Sequence, residues 1–104
     1  MQRHAFKMFL NAGARAEYTR RHDAIWPRLV ALLKQAGICN YSIYLDAETN
    51  VLFDYLERRS DHAMHELPLQ PVMQEWWNAM RDLMRTDERG RPVTADLVEV
   101  FHLA

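Results

Sequence analysis

Imidazole is the side chain whose ordinary pKa lies nearest neutrality, so the five histidines, His4, His22, His62, His65 and His102, are the first candidates for proton transfer. His22 stands four residues after Tyr18, a spacing that puts phenol and imidazole on one helix face, one turn apart. Such a pair can orient a polar substrate with the hydroxyl and move a proton with the ring nitrogen. Near a helix end, the terminal carbonyls favour a protonated His22 while Arg20 and Arg21 oppose it, so the sign of its pKa shift is open at this level. The same position equally suits an ordinary packing histidine. Trp76 and Trp77 are adjacent, and adjacent helical residues point about 100° apart. One ring can then pack while the other borders a cavity, or both can flank a groove; flat aromatic faces suit the C–H faces of sugars and suit protein cores equally well. Tyr41 adds an aromatic body with a hydroxyl that can donate or accept.

Other constellations carry less. His62 and His65 have i, i+3 spacing, but zinc takes three or four protein ligands and no third accompanies them, so no metal site is expected. His4 and His102 fall in outer strands and read as structural. Gly13, Gly37 and Gly90 are far apart, which leaves no glycine-rich phosphate loop and no nucleotide cofactor to expect. Met73, Met80 and Met84 fall at helical spacing and read as core. Cys39, the single cysteine, cannot form an intramolecular disulfide and reads as a small buried hydrophobe in a reducing compartment.

The elements that must position these residues follow from periodicity. His4, Phe6, Met8 and Leu10 alternate with Lys7 and Phe9, which predicts a first strand. From Ala14 the pattern turns helical, through Tyr18, His22, Trp26, Leu29, Leu32, Leu33 and Ala36, with Gly37 as the stop. Pro27 disfavours helix at Trp26, so two helices meeting near residues 23–26 are expected, with Pro27 in the first turn of the second. Residues 40–57 read as a hairpin, with Tyr41, Ile43 and Leu45 alternating in one strand, a turn at Asp46–Asn50, and Val51–Glu57 in the other. Ser60 or Asp61 can cap a short helix ending before Pro68, and Pro71 opens another through Val72, Met73, Trp76, Trp77, Met80, Leu83 and Met84. Residues 85–95 form a polar loop, and Leu97–Leu103 is expected as a fourth strand.

The order βαββαβ is the ferredoxin-like arrangement, an α+β fold with a four-stranded antiparallel sheet and helices on one face. Its 104 residues fit one domain spanning 1–104. Large apolar groups occur on both strand faces, so the uncovered face needs a ligand or a second copy, and a homodimer covers both sheets with one two-fold axis. Thirteen Lys plus Arg against fourteen Asp plus Glu give a net charge of −1, too balanced for electrostatic nucleic-acid binding. The longest apolar run, Leu29–Leu33, is far short of the roughly 20 residues that span a bilayer, and no secretory signal is visible, so a cytoplasmic location is expected.

The run Glu17–Pro27, containing Y-x-x-R-H-x-x-I-W-P, the strand Asn40–Asp46, the pair Trp76-Trp77 and the closing Glu99-Val100-Phe101-His102-Leu103 resemble the L-rhamnose mutarotase family. The similarity runs from the first strand to the last residue; residues 61–74, with two prolines and His62/His65, depart from the family's pattern. The resemblance implies a dimeric ferredoxin-like α/β barrel that interconverts the α and β anomers of L-rhamnopyranose in the cytoplasm. It implies His22 as proton donor, with Tyr18, Tyr41, Trp76 and Trp77 binding sugar. Hemiacetal opening needs an acid and a base near working pH, with no metal or cofactor. For the group that complements His22, Asp54 and water are the candidates. Two other classes share these features: a small dimeric α/β-barrel monooxygenase, cofactor-free or haem-degrading, by fold analogy alone, and a noncatalytic sugar-binding module.

Overall fold

The computed structural model describes all residues, 1–104. Strand β1 (Gln2–Phe9) buries Phe6 and Met8 on one side, with Leu10 just beyond it, and turns Lys7 and Phe9 to the other. Helix α1 (Arg15–Asp23) follows and stops short of Trp26, whose extended backbone (φ −65°, ψ 129°) is what a residue before proline adopts. Pro27 then takes the first position of α2 (Pro27–Gln35), where its missing N–H costs nothing. Gly37, at φ +91°, ends this helix in the left-handed region. The expected break between two helices is therefore present.

Strands β2 (Ile38–Asp46) and β3 (Val51–Arg58) form the hairpin, closed where Asp46 pairs with Val51. A short 3-10 helix over Met64–Leu69 leads into α3 (Pro71–Met80), again with proline in the first turn. Strand β4 (Ala95–Asp96) completes a sheet of order β2-β3-β1-β4, antiparallel at every junction. This is the ferredoxin-like α+β fold.

The core lies between the sheet and the helices. Leu29 from α2, Met80 from α3 and Leu52 and Leu56 from β3 are all at most 2% exposed, and truncating any of them to Ala should cost about 2–5 kcal/mol. The opposite sheet face stays open, with Tyr44 67% and Phe53 37% exposed.

Three expectations are corrected. The fourth strand is two residues, Ala95–Asp96, and not Leu97–Leu103. Beyond Asp96 the Leu97 N–H still donates to the Ala5 carbonyl (2.9 Å), but Val98, Val100, Phe101 and Leu103 stand 78–93% exposed. Alternation in the sequence encodes capacity to pair, and within one chain this segment finds no apolar surface to cover it. The short segment before Pro71 is a 3-10 turn that contains Pro68, since i→i+3 bonding over so few residues tolerates a proline that an α-helix would reject. Helix α3 ends at Met80, because Leu83 and Met84 are buried by the chain folding back, with Leu10 bridging to Met84.

Candidate active site

The three helices do not seal the inner sheet face. Between them runs a groove of about 1060 Å³ with mainly apolar walls, and Tyr18, His22, Tyr41, Trp76 and Trp77 all border it. The five residues singled out from sequence thus converge, though they come from α1, β2 and α3.

The i, i+4 spacing on α1 brings Tyr18 and His22 into a stack, with ring centroids 4.2 Å apart and planes at 30°. Trp76 also meets the imidazole edge-on, at 5.3 Å and 88°. Trp26 in turn meets Trp76 at 5.2 Å, and the Arg28 guanidinium sits 4.8 Å from the Trp26 ring. His22 Nδ1 lies 3.0 Å from the Tyr18 carbonyl oxygen. A carbonyl only accepts, so Nδ1 carries the hydrogen and Nε2 is the nitrogen left to exchange a proton. Burial lowers the His22 pKa below the usual imidazole value, partly offset by the Tyr18 carbonyl and Asp23. The sign that sequence leaves open is therefore downward. Arg20 and Arg21 contribute little because both are turned into ion pairs, Arg20 with Glu17 and Arg21 with Glu17 and Asp82.

Tyr41 owes its direction to a β-bulge. The pairing of β2 with β3 slips by one residue between Cys39 and Ser42, and Asn40 adopts φ +47°, which asparagine tolerates better than most residues. The slip changes the phase of the strand, so that Ile38 and then Tyr41, Ile43 and Leu45 face the helices. The Tyr41 hydroxyl donates to Asp54 Oδ2 at 2.9 Å. Although the Tyr41 residue is 37% exposed, its hydroxyl end is desolvated and faces the carboxyl, so its pKa is pushed well above the phenol value.

Asp54 is 1% exposed, flanked on β3 by Leu52 and Leu56, and its Oδ1 has no hydrogen-bond partner. An unpaired buried acceptor costs about 1–3 kcal/mol, more if charged. Burial raises the Asp54 pKa from 3.8 to about 7, against a smaller opposing effect of the Tyr41 hydrogen bond. Tyr18, buried nearby, has its own pKa raised by burial and by the Asp54 charge.

The tryptophan pair divides as adjacent helical residues must. Trp76 is 8% exposed and packed against His22, while Trp77 is half-buried and borders both the groove and an adjoining polar cleft with Gln74, Asn78 and Arg81. His62 and His65 lie apart from the groove, their rings 6.3 Å from one another, with His62 Nδ1 accepting from the Met64 N–H. His4 packs on Phe6 and His102 lies in the exposed tail. Sequence reasoning missed Trp26 as the support behind Trp76; a tryptophan immediately before a helix-opening proline was the available signal.

A family model described as L-rhamnose mutarotase matches residues 3–103. Among curated relatives, an L-rhamnose mutarotase of Mesorhizobium japonicum is 56% identical over 99% of this chain and 98% of its own. That of Rhizobium johnstonii is 54% identical, covering 99% and 97%. The crystal structure of an L-rhamnose mutarotase from Formosa agariphila superposes with a TM-score of 0.93 at 39% identity, with both chains fully covered. A Mycobacterium tuberculosis protein, 16% identical with a TM-score of 0.59 over 98% of this chain and 97% of its own, shares the fold alone.

Proposed function

The chain belongs to the L-rhamnose mutarotase family, and from that premise we propose how its residues carry out the family's isomerase chemistry. The whole chain, residues 1–104, works as one domain that interconverts the α and β anomers of L-rhamnose. Opening the pyranose transfers a proton to the ring oxygen, breaks the bond from that oxygen to C1 and strips the proton from the anomeric hydroxyl. Rotation about C1–C2 and reclosure on the other face complete the exchange.

His22 serves the ring oxygen, giving a proton as the ring opens and taking it back as the ring closes. The observation that carries this reading is the Tyr18–His22–Trp76 cluster lining the groove, in which Tyr18 stacks on the imidazole, Trp76 meets it edge-on and Nδ1 is tied to a backbone carbonyl, so that Nε2 is the nitrogen free to exchange a proton. Holding the proton-transfer group in one geometry before the substrate arrives removes much of the entropic part of the barrier. Tyr18 and Tyr41 supply hydroxyls for the sugar, and Trp77, with the exposed portion of Trp76, offers aromatic surface to its C–H face. The working unit is a homodimer in the cytoplasm; no helix is long and apolar enough to cross a membrane.

Saturation-difference NMR on equilibrated L-rhamnose tests the reaction. Magnetisation should pass between the two anomeric protons faster with the protein than without it. Sugar binding with exchange at the spontaneous rate would instead identify a noncatalytic binding module.

A further inference from the structure

Ring opening needs two proton stations, one for the ring oxygen and one for the anomeric hydroxyl. We infer that Asp54, acting through the Tyr41 hydroxyl, is the second station: a phenol–carboxyl relay that takes the anomeric proton as the ring opens and returns it as the ring closes. The inference rests on the mutarotase reading above.

Three observations support it. Asp54 occupies a position the fold would fill with an aliphatic residue, between Leu52 and Leu56 and opposite Phe6 on β1 and Ile43 on β2. Buried carboxylates are normally matched by a cation or by several donors. This one has only the Tyr41 hydroxyl, on Oδ2, while Oδ1 is buried without a partner. Next, Asp54 does not border the groove whereas Tyr41 does, so a proton passing between ligand and carboxyl has the Tyr41 hydroxyl as its route. Finally, the β-bulge at Asn40 is the device that turns Tyr41 onto Asp54, and bulges of this kind re-aim side chains beside active sites.

The titratable groups facing Asp54 are Tyr41 from β2 and Tyr18 from α1, and no cation compensates it. Its proton affinity is accordingly well above that of an ordinary carboxylate, matched to a task near neutral pH. The reactive form of the pair holds one proton, on His22. Because Asp54 binds a proton more tightly than His22 does, this is the minor of the two one-proton forms, in exchange with the form protonated on Asp54. On opening, the anomeric proton passes to Tyr41 Oη while the phenol's own proton passes to Asp54 Oδ2. The C1=O double bond forms, the bond from C1 to the ring oxygen breaks, and that oxygen takes the proton from His22 Nε2. Tyr41 stays neutral throughout, in keeping with its raised pKa. On closure the C5 hydroxyl attacks the other carbonyl face, its proton returns to His22, and Asp54 re-protonates Tyr41 as Tyr41 re-protonates the anomeric oxygen. Nothing is oxidised or consumed. Because Asp54 acts through Tyr41, it is a positioning and proton-storing residue and does not touch the sugar.

The test is the pH profile of anomer exchange in wild type, Asp54→Asn, Tyr41→Phe and the double variant. With two stations the wild type should give a bell, inactive when both are protonated and when both are bare. Asp54→Asn keeps shape and an acceptor for the Tyr41 hydroxyl, so it should stay folded and still show sugar binding by tryptophan fluorescence. Its exchange rate should fall about 10²-fold or more, and its bell should collapse to the single limb of His22. Tyr41→Phe, a change at the groove surface, should give a comparable loss, and the double variant should lose no more than the worse single one. An Asp54→Asn rate within about threefold of wild type, a bell with both limbs intact, or losses that multiply in the double variant would each overturn the relay. If the wild type itself fails to accelerate exchange, the mutarotase reading falls and takes the relay with it; a fast wild type with an indifferent Asp54→Asn defeats the relay alone.

Discussion

At the scale of residues, two side chains are held in environments that act against their ordinary behaviour. His22 is half-buried, stacked and tied through Nδ1, all of which fix one nitrogen for transfer. His22→Ala should leave the fold intact, because Tyr18 and Trp76 remain packed, yet reduce anomer exchange about 10²–10⁴-fold. Full exchange by a folded variant would remove His22 from the mechanism. Asp54 carries a stability consequence independent of its chemistry. Its pKa is raised from 3.8 to about 7, so the folded chain holds this proton more tightly than the unfolded chain does. Its contribution to stability is then fully present below the unfolded pKa and is lost as pH rises through the folded one. Asp54→Asn, which does not titrate, should gain stability over wild type between about pH 4 and about pH 8, with a ceiling of about 4 kcal/mol at roughly 1.4 kcal/mol per pKa unit. Thermal unfolding of the two proteins across that range measures it; a constant difference would show that the carboxyl is not penalised by burial. A residue whose replacement stabilises the fold while slowing the reaction is one retained for function.

At the scale of elements, α1 presents both Tyr18 and His22, and what holds α1 is Arg21. Its guanidinium reaches the Ala79 carbonyl at the end of α3 (2.7 Å), both carboxylate oxygens of Asp82 (2.8 and 3.1 Å) and Glu17 on its own helix (2.8 Å). Arg21→Ala should lower both the melting temperature and the exchange rate, and Arg21→Lys should recover only part of each, since an ammonium cannot bridge a carboxylate in the two-point fashion. Equal behaviour of Lys and Ala with unchanged exchange would show that α1 is held by its apolar contacts alone. Most of these elements were legible in the sequence for identifiable reasons. Pro27 and Pro71 mark helix starts by what proline cannot do, β1 shows clean alternation, and β3 is rich in β-branched and aromatic residues. The bulge was not legible, because a one-residue slip is defined by the partner strand and Asn40 alone signals only tolerance. That is why the five groove residues could be named in advance while the Tyr41–Asp54 bond, joining two strands across the slip, could not. The fourth strand was over-read for a related reason: alternation at Leu97–Leu103 says nothing about where a partner lies.

At the scale of the whole molecule, that exposed tail and the open sheet face pose one question. Val98, Val100, Phe101 and Leu103 are 78–93% exposed, and Tyr44 and Phe53 stand 67% and 37% exposed on the sheet face away from the helices. Fully burying a large apolar side chain is worth about 1.5–3 kcal/mol, so a handful of these residues can hold two chains together against the cost of association. A second copy related by a two-fold axis would present the same two features, allowing sheet to pack on sheet and each tail to lie along the other chain. The Arg3–Glu99 pair (2.9 Å) and the Leu97–Ala5 hydrogen bond fix the direction in which the tail leaves the sheet, while little else ties it to its own chain. Sedimentation at micromolar concentration should therefore give twice the 12.3 kDa chain mass, and since the contact is apolar the mass should persist in high salt. Phe101→Asp, which touches nothing in the core, should release monomers with unchanged helical content, and Tyr44→Asp should act in the same direction from the sheet face. A wild-type monomer that accelerates anomer exchange at full rate would show that the tail and the open face are not an interface, and that one chain suffices for the chemistry.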